Sequence, residues 1–247
     1  MMRLGLIADI HGNLFALEAV LDELAREQID QIICLGDVAA LGPQPHEVLA
    51  RLQTLNCPVI MGNTDAWLLD AQVPPEVAAE NSRPVYEMAV WCAEQLSQTE
   101  RDYLHAFPAT LERPLDEGRT LLCYHGSPRS FDDVIAAVTP DATVKEMLAG
   151  YSAAVMVGGH THLQMVRRYE DIHIINVGSV GLPGVNAGSP ELAKNHNVSW
   201  AEYGVLSIEQ GRLSVDLRRT PIDVDAMLQA AKRIHMPHLD WWIQKWK

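Results

Sequence analysis

Three observations predict an α/β fold. Apolar, strand-like runs alternate with amphipathic helical stretches in the N-terminal part of the chain, three of those runs finish in glycine-containing turns, and each turn carries an Asp, His or Asn. A strand, helix, strand unit of this length is a right-handed crossover that sets the two strand ends side by side. Sites in open α/β sheets form at such carboxyl ends. The stretch around which the chain is organised is Asp9-Ile10-His11-Gly12-Asn13, directly after the buried strand expected over residues 3 to 8. On an extended backbone Asp9 and His11 would point the same way, because strand side chains alternate with period 2. Both could then grip one cation, while Gly12 allows a tight turn and Asn13 caps the following helix.

The remaining elements follow in order. Leu14, Leu17, Val20, Leu21 and Leu24 fall on one helical stripe between Asn13 and about Glu27. The strand Gln31 to Leu35 ends in Gly36-Asp37, which makes Asp9 and Asp37 neighbours. A Gly/Pro-rich loop and a helix from about His46 to Leu55 lead to a third strand, Pro58 to Met61, ending in Gly62-Asn63-Thr64-Asp65. Residues 66 to 108 read as a helical excursion beside the site: a helix continuing through Trp67 to Ala71, an irregular Val73 to Pro84, an amphipathic Val85 to Leu96, and helix again from Thr99 to Phe107. Strands Thr110 to Leu115 and Arg119 to Tyr124 flank the turn Asp116-Glu117-Gly118, and the second runs into His125-Gly126. A helix over Pro140 to Leu148 precedes the strand Ala153 to Val157, which ends in Gly158-Gly159-His160-Thr161-His162. The rest is β-rich: Gln164 to Tyr169, Ile172 to Asn176, Gly204 to Ile208 and Leu213 to Leu217. Val185 to Ser199 reads as a long polar loop, and a helix from about Asp223 to Ile234 precedes a tail containing Trp241, Trp242 and Trp246.

At 247 residues with 48% apolar content the chain can bury a substantial core, and a single domain over 1–247 is expected, with 66–108 as the excursion and 221–247 as a C-terminal helix and tail. The balance of 19 Lys+Arg against 32 Asp+Glu, net −13, opposes attraction to nucleic-acid polymers or anionic membranes. The apolar runs are too short to span a bilayer, and the start lacks a signal-peptide pattern, so a cytoplasmic protein is expected. Cys34, Cys57, Cys92 and Cys123 are widely spaced without C-x-x-C and read as buried free thiols.

The metal-competent side chains at strand ends are Asp9, His11, Asp37, Asn63, His125, His160 and His162. Their shared place at one edge of the sheets points to metal binding. A mixed N/O set without thiolate suits Mn²⁺, Fe²⁺, Zn²⁺, Co²⁺ or Ni²⁺ and disfavours Ca²⁺. The set exceeds the needs of one ion that keeps a water, so two ions are expected, with Asp37 as the natural bridge.

The ordered blocks D-x-H-G-N, G-D, G-N-x-D, H-G and G-H-x-H resemble those of the calcineurin-like metallophosphoesterases, above all the small bacterial and archaeal phosphodiesterase branch. The resemblance implies a four-layer αββα sandwich of two mixed sheets. It implies one metal on Asp9, His11, Asp37 and His162 and another on Asp37, Asn63, His125 and His160, with manganese favoured. It also implies hydrolysis of a small phosphate ester by in-line attack of a hydroxide bridging the ions, with Asp37, Asn63 and His162 taking part in the reaction. More distant likenesses leave dinucleoside polyphosphate hydrolysis, protein phosphatase activity and a non-catalytic scaffold of the same fold as alternatives.

Phosphatases of this kind carry a His after the Asn of G-N-x-D, which stabilises the transition state and protonates the leaving group. Here that position is Thr64, and Asp65, which would orient the His, has lost its partner. A Thr hydroxyl is a poor general acid, so unactivated phosphomonoesters are expected to be poor substrates. Thr64, Asp65, Arg129 and His196 are the candidate substrate contacts, and the Gly178-Ser179 turn a candidate support for His160 and His162.

Overall fold

The structure, a computed structural model, describes residues 1–70, 83–185 and 196–246. The expected irregular segment from Val73 and most of the expected polar loop from Val185 lie outside the described residues. The order is β1 (Met2–Ile7), α1 (Leu14–Ala25), β2 (Gln31–Cys34), α2 (Pro45–Leu55), α3 (Asn63–Asp70), α4 (Arg83–Gln95), α5 (Gln98–His105), β3 (Leu111–Pro114), β4 (Thr120–Cys123), α6 (Asp141–Met147) and β5 (Val155–Gly158). It continues with β6 (Met165–Tyr169), β7 (Ile172–Asn176), β8 (Gly184–Val185), β9 (His196–Asn197), β10 (Trp200–Glu209), β11 (Arg212–Pro221), α7 (Val224–Arg233) and α8 (Leu239–Gln244).

Two mixed sheets form, in the strand orders β11-β10-β1-β2 and β3-β4-β5-β7-β6, beside a two-stranded β8-β9 ribbon. The period of two along each strand sorts residues between layers. Leu4, Leu6, Ala8, Ile33, Leu35, Leu206 and Ile208 of the first sheet pack against Leu121, Cys123, Val155, Val157, Ile175 and Val177 of the second. The other face of the first sheet, including Ile7, Cys34 and Val205, is covered by α1 and α2 through Leu17, Val20, Leu24, Val48 and Leu52. On the far side of the second sheet, Leu122, Met156 and Ile174 meet Val144 and Met147 of α6. Helices, sheet, sheet and helix are the four expected layers.

The parallel pairs β1 with β2 and β4 with β5 send their carboxyl ends to one edge. The third expected strand, Pro58 to Met61, is reduced to a parallel bridge between Cys34 and Val59, with the Cys34 N–H donating to Pro58 O and the Ile60 N–H to Cys34 O. It still delivers Asn63 to the same edge. The four cysteines are free; Cys34, Cys92 and Cys123 are buried and Cys57 is half-buried. The tail, for which the sequence suggested no element, contains the short α8, whose Trp242 is buried with Met88, Met227, Ala231 and Met236. Among the described residues no helix is long and apolar enough to cross a membrane.

Candidate metal centre

Asp9 and His11 do not converge by strand alternation, as the sequence suggested. β1 ends at Ile7, and Asp9 and His11 take left-handed conformations with φ of 54° and 48°. Asp37, His160 and His162 are left-handed too, at 56°, 70° and 56°. Such backbone costs of order 1 kcal/mol or more per residue and persists only where surroundings over-determine it. Here the loops do so by pairing with one another: the Asp9 N–H donates to Gly36 O (3.0 Å), His11 N–H to Asp37 O (3.0 Å) and Gly12 N–H to Val38 O (2.8 Å). Close approach needs glycine, since a Cβ on Gly62 would lie 2.1 Å from Asp37 Oδ1.

The rings are aimed by backbone carbonyls. His11 Nδ1 lies 3.1 Å from Ala40 O, His125 Nδ1 2.7 Å from Leu35 O and His162 Nδ1 2.8 Å from Leu182 O. As donors, these Nδ1–H groups leave the Nε2 lone pairs facing inward, the usual arrangement of a metal-ligating imidazole. His11 and His162 meet at 3.1 Å between Nε2 atoms. Asp37 Oδ2 sits 3.7 Å from His11 Nε2 and 3.4 Å from His125 Nε2, and Asp9 Oδ1 sits 3.4 Å from His162 Nε2 and 3.9 Å from His125 Nε2. Asn63 Oδ1 is 3.0 Å from His125 Nε2 and 3.1 Å from His160 Nδ1. All seven predicted ligands thus come together, and two ligand groups stand out, Asp9-His11-His162 and Asp9-Asp37-His125. Both carboxylates span the site, Asp9 as well as the expected bridge Asp37. The donor set of imidazole nitrogen, carboxylate and amide oxygen fits divalent transition metals.

Burial opposes charge on Asp9 and Asp37, but His162 beside Asp9 and His125 beside Asp37 outweigh it and hold both carboxyls below the usual range. Burial also disfavours charged imidazoles, yet Asp37 raises His125 and Asp9 raises His162 above their ordinary value. Burial wins at His11, pushed down to about 4, and at His160, where the His125 charge adds to it. With His125 raised to about 10, a cation must displace its proton at neutral pH, and Asp9 biases His162 in the same direction. Metal affinity of the stripped protein is expected to rise with pH between 6 and 8, by roughly tenfold per unit for each proton displaced. Calorimetry in buffers of different ionisation enthalpy should show proton release, and pH-independent binding without release would contradict this charge assignment.

The candidate substrate contacts divide. Asp65 is fully buried, and its Oδ2 accepts from the Asp37 (2.7 Å) and Gly62 (3.1 Å) amides while Oδ1 accepts from Val38 (2.9 Å). Burial and the Asp37 charge push its carboxyl up to about 7. It is a brace for the Asp37 loop and not a substrate contact, which corrects the expectation. Thr64 donates its backbone N–H to Asp37 Oδ1 (2.9 Å), and its buried Oγ1 has no hydrogen-bond partner among the described residues. The Arg129 guanidinium is held by Asp133 (2.8 Å) and by Glu146 O (3.2 Å). His196 is exposed at the start of β9.

Asn13 caps α1 through the Ala16 amide (3.1 Å) and donates to Gly181 O (3.0 Å). The Gly178-Ser179 turn supports the ligands directly. Ser179 Oγ donates to Asp9 O (2.8 Å) and accepts from the Leu182 N–H (2.9 Å), and Leu182 in turn aims His162. Sequence reasoning missed Asn176, which accepts from the Gly178 N–H (2.9 Å) and donates to Thr161 Oγ1 (3.1 Å), bracing the His160-His162 loop. An Asn closing a strand before a glycine turn was the available signal.

A family model described as Calcineurin-like phosphoesterase superfamily domain matches residues 2–206. The chain belongs to this superfamily. The phosphodiesterase YfcE of Escherichia coli is 26% identical to this phosphoesterase over 208 residues, 83% of this chain and 88% of its own. An uncharacterized protein of Methanocaldococcus jannaschii is 27% identical over 204 residues, 75% of this chain and 80% of its own. Among solved structures, a metallophosphoesterase from Sphaerobacter thermophilus matches with a TM-score of 0.71 at 23% identity, covering 96% of this chain and 95% of that one. A hypothetical protein from Pyrococcus horikoshii OT3 matches with a TM-score of 0.78 at 20% identity, covering 98% of both chains. These two structures share the fold, and the sequence relatives named here come from a bacterium and an archaeon.

Proposed function

We propose that this phosphoesterase is a metal-dependent phosphodiesterase that hydrolyses a small phosphorylated substrate, using two divalent transition-metal ions with manganese favoured over iron, zinc, nickel or cobalt. One observation carries the reading: three imidazoles tied at Nδ1 to backbone carbonyls converge through Nε2 on Asp9 and Asp37. Asp9, His11, Asp37 and His162 would hold one ion, and Asp37, Asn63, His125 and His160 the other. Such ions, when bound, supply Lewis acidity toward a phosphoryl group and acidify water. The chain's own part is to keep both carboxylates ionised, to fix the rings, and to exclude water from the rear of the site. His162, whose side chain is 20% exposed, and the half-buried His160 are the ligand imidazoles open to substrate, whereas His11 and His125 are sealed.

Diester preference is supported by two facts. The relative YfcE is a phosphodiesterase, and position 64 offers only a buried hydroxyl, with no group able to protonate a poor leaving group. The test is hydrolysis of bis(p-nitrophenyl) phosphate by metal-stripped protein with and without Mn²⁺, beside the p-nitrophenyl monoester. Diester turnover is expected only with metal, and at least roughly tenfold faster than monoester turnover. No turnover in protein shown to bind Mn²⁺ would favour a non-catalytic scaffold, and faster monoester turnover would reject the diester assignment.

A further inference from the structure

Beyond the ligand loops, one cation is built into the same edge of the first sheet. β10 runs antiparallel to β1, with Gly204 opposite Leu6, so Trp200 and Glu202 lie at the end that carries Asp9. β11 sets Arg219 directly opposite Glu202. The Glu202 side chain is only 8% exposed, yet that of Arg219 is 57% exposed. Arg219 Nε donates to Glu202 Oε1 (3.0 Å), and its guanidinium lies over the Trp200 ring, 5.1 Å from the centroid. Glu202 in turn packs on the turn that supports the ligands. Its N–H donates to Ser179 O (2.9 Å), and a Cβ on Gly178 would lie 2.2 Å from its Oε2. Burial pushes the Glu202 carboxyl up, against Arg219, Trp200 and the more distant His162, whose charge still reaches it.

A guanidinium fixed at Nε by a carboxylate and on one face by an indole keeps its Nη groups for an external acceptor. Among the described residues, Arg219 Nη1 and Nη2 have no acceptor. Arg129, the cation expected from sequence, already spends Nη1 on Glu146 O. In a chain of net charge −13, an anionic substrate gains most from a cation pre-placed beside the site. Arg219 also lies beyond the residues 2–206 matched by the family model.

We propose that Arg219, held by Glu202 and Trp200, is a specificity-determining residue that binds a second anionic group on the alcohol of a phosphodiester substrate. The site then favours diesters that carry a further phosphate, such as phosphorylated nucleotide esters, over those with neutral handles. This rests on the phosphodiesterase reading, and its test separates the two. The probes are thymidine 5′-(p-nitrophenyl phosphate) with and without a 3′-phosphate, which share one leaving group and differ in one anion. With Mn²⁺ the 3′-phosphorylated ester is expected to have the lower KM, and Arg219→Met to raise that KM about tenfold at unchanged kcat while leaving the other ester alone. Arg219→Lys, which still neutralises Glu202 but lacks the fork, should recover only part of the difference. Should no ester turn over, calorimetric binding of thymidine 3′,5′-bisphosphate against thymidine 5′-phosphate decides. Tighter bisphosphate binding lost in Arg219→Met sustains Arg219 even though the catalytic reading fails. Equal handling of both probes by the wild type, or an equal effect of Arg219→Met on both, overturns the proposal. Because unpaired Glu202 could unfold Arg219→Met, the neutral pair Glu202→Gln with Arg219→Gln serves as the second variant and should also lose the discrimination.

Discussion

Asp37→Asn is expected to lower metal-dependent turnover by roughly a thousandfold or more, since losing even a group that orients a ligand costs 10- to 100-fold. The fold should persist. Asn keeps an oxygen for the Thr64 N–H, and the Asp65 brace acts on backbone amides at residues 37, 38 and 62 without using the Asp37 carboxylate. What disappears is the charge lying between His11 and His125. Metal titration of the variant should therefore saturate at fewer ions than the wild type, in stripped protein that still unfolds cooperatively but at a lower temperature, because the pairing of Asp37 with His125 is lost. Wild-type turnover in Asp37→Asn would remove Asp37 from the centre.

Gly181→Ala is expected to cost on the order of 3 kcal/mol of stability and to lose metal binding as well. A Cβ at this position would lie 1.7 Å from Ile10 O and 2.5 Å from Ile10 C, both backbone atoms that cannot rotate away. Relief requires the 179–182 turn to lift off the Asp9–Asn13 loop. That movement breaks the Gly181 N–H bond to Asp9 O, the Asn13 bond to Gly181 O, and the Leu182 carbonyl that aims His162. Chemical denaturation and metal titration check the two effects, and a variant that is stable yet metal-free would place the clash on the ligand loop alone.

Much of the fold and the side chains that converge on the site were legible because both were written locally: an apolar run, then a ligand type with glycine beside it or close after it, at Asp9, Asp37, Asn63, His125 and His160. What sequence could not reveal is backbone hand. The left-handed φ at five ligand residues is fixed by loops bonding to loops far away in the chain, such as Gly181 to Asp9. The same limit hid the true work of Asp65, whose partners are main-chain amides with no residue signature. Arg219 was hidden by register, although a clue was present. Gln210 and Gly211, at φ 49° and 77°, form the two-residue turn that aligns Glu209 with Arg212 and so Glu202 with Arg219. The tail helix escaped notice because three tryptophans in a short segment obscure any stripe, and only the pocket between α4 and α7 decides which of them is buried.

The central strand pair of the first sheet joins segments far apart in the sequence, Met2 opposite Ile208 and Leu6 opposite Gly204. A growing chain on the ribosome thus has every ligand from Asp9 to His162 synthesised before the strand that seats Asp9 exists. Pairings so distant in sequence close late and slowly. The first of these ligands to be made is among the last to be fixed, and a nascent chain has no finished centre to capture a stray cation until β10 has emerged.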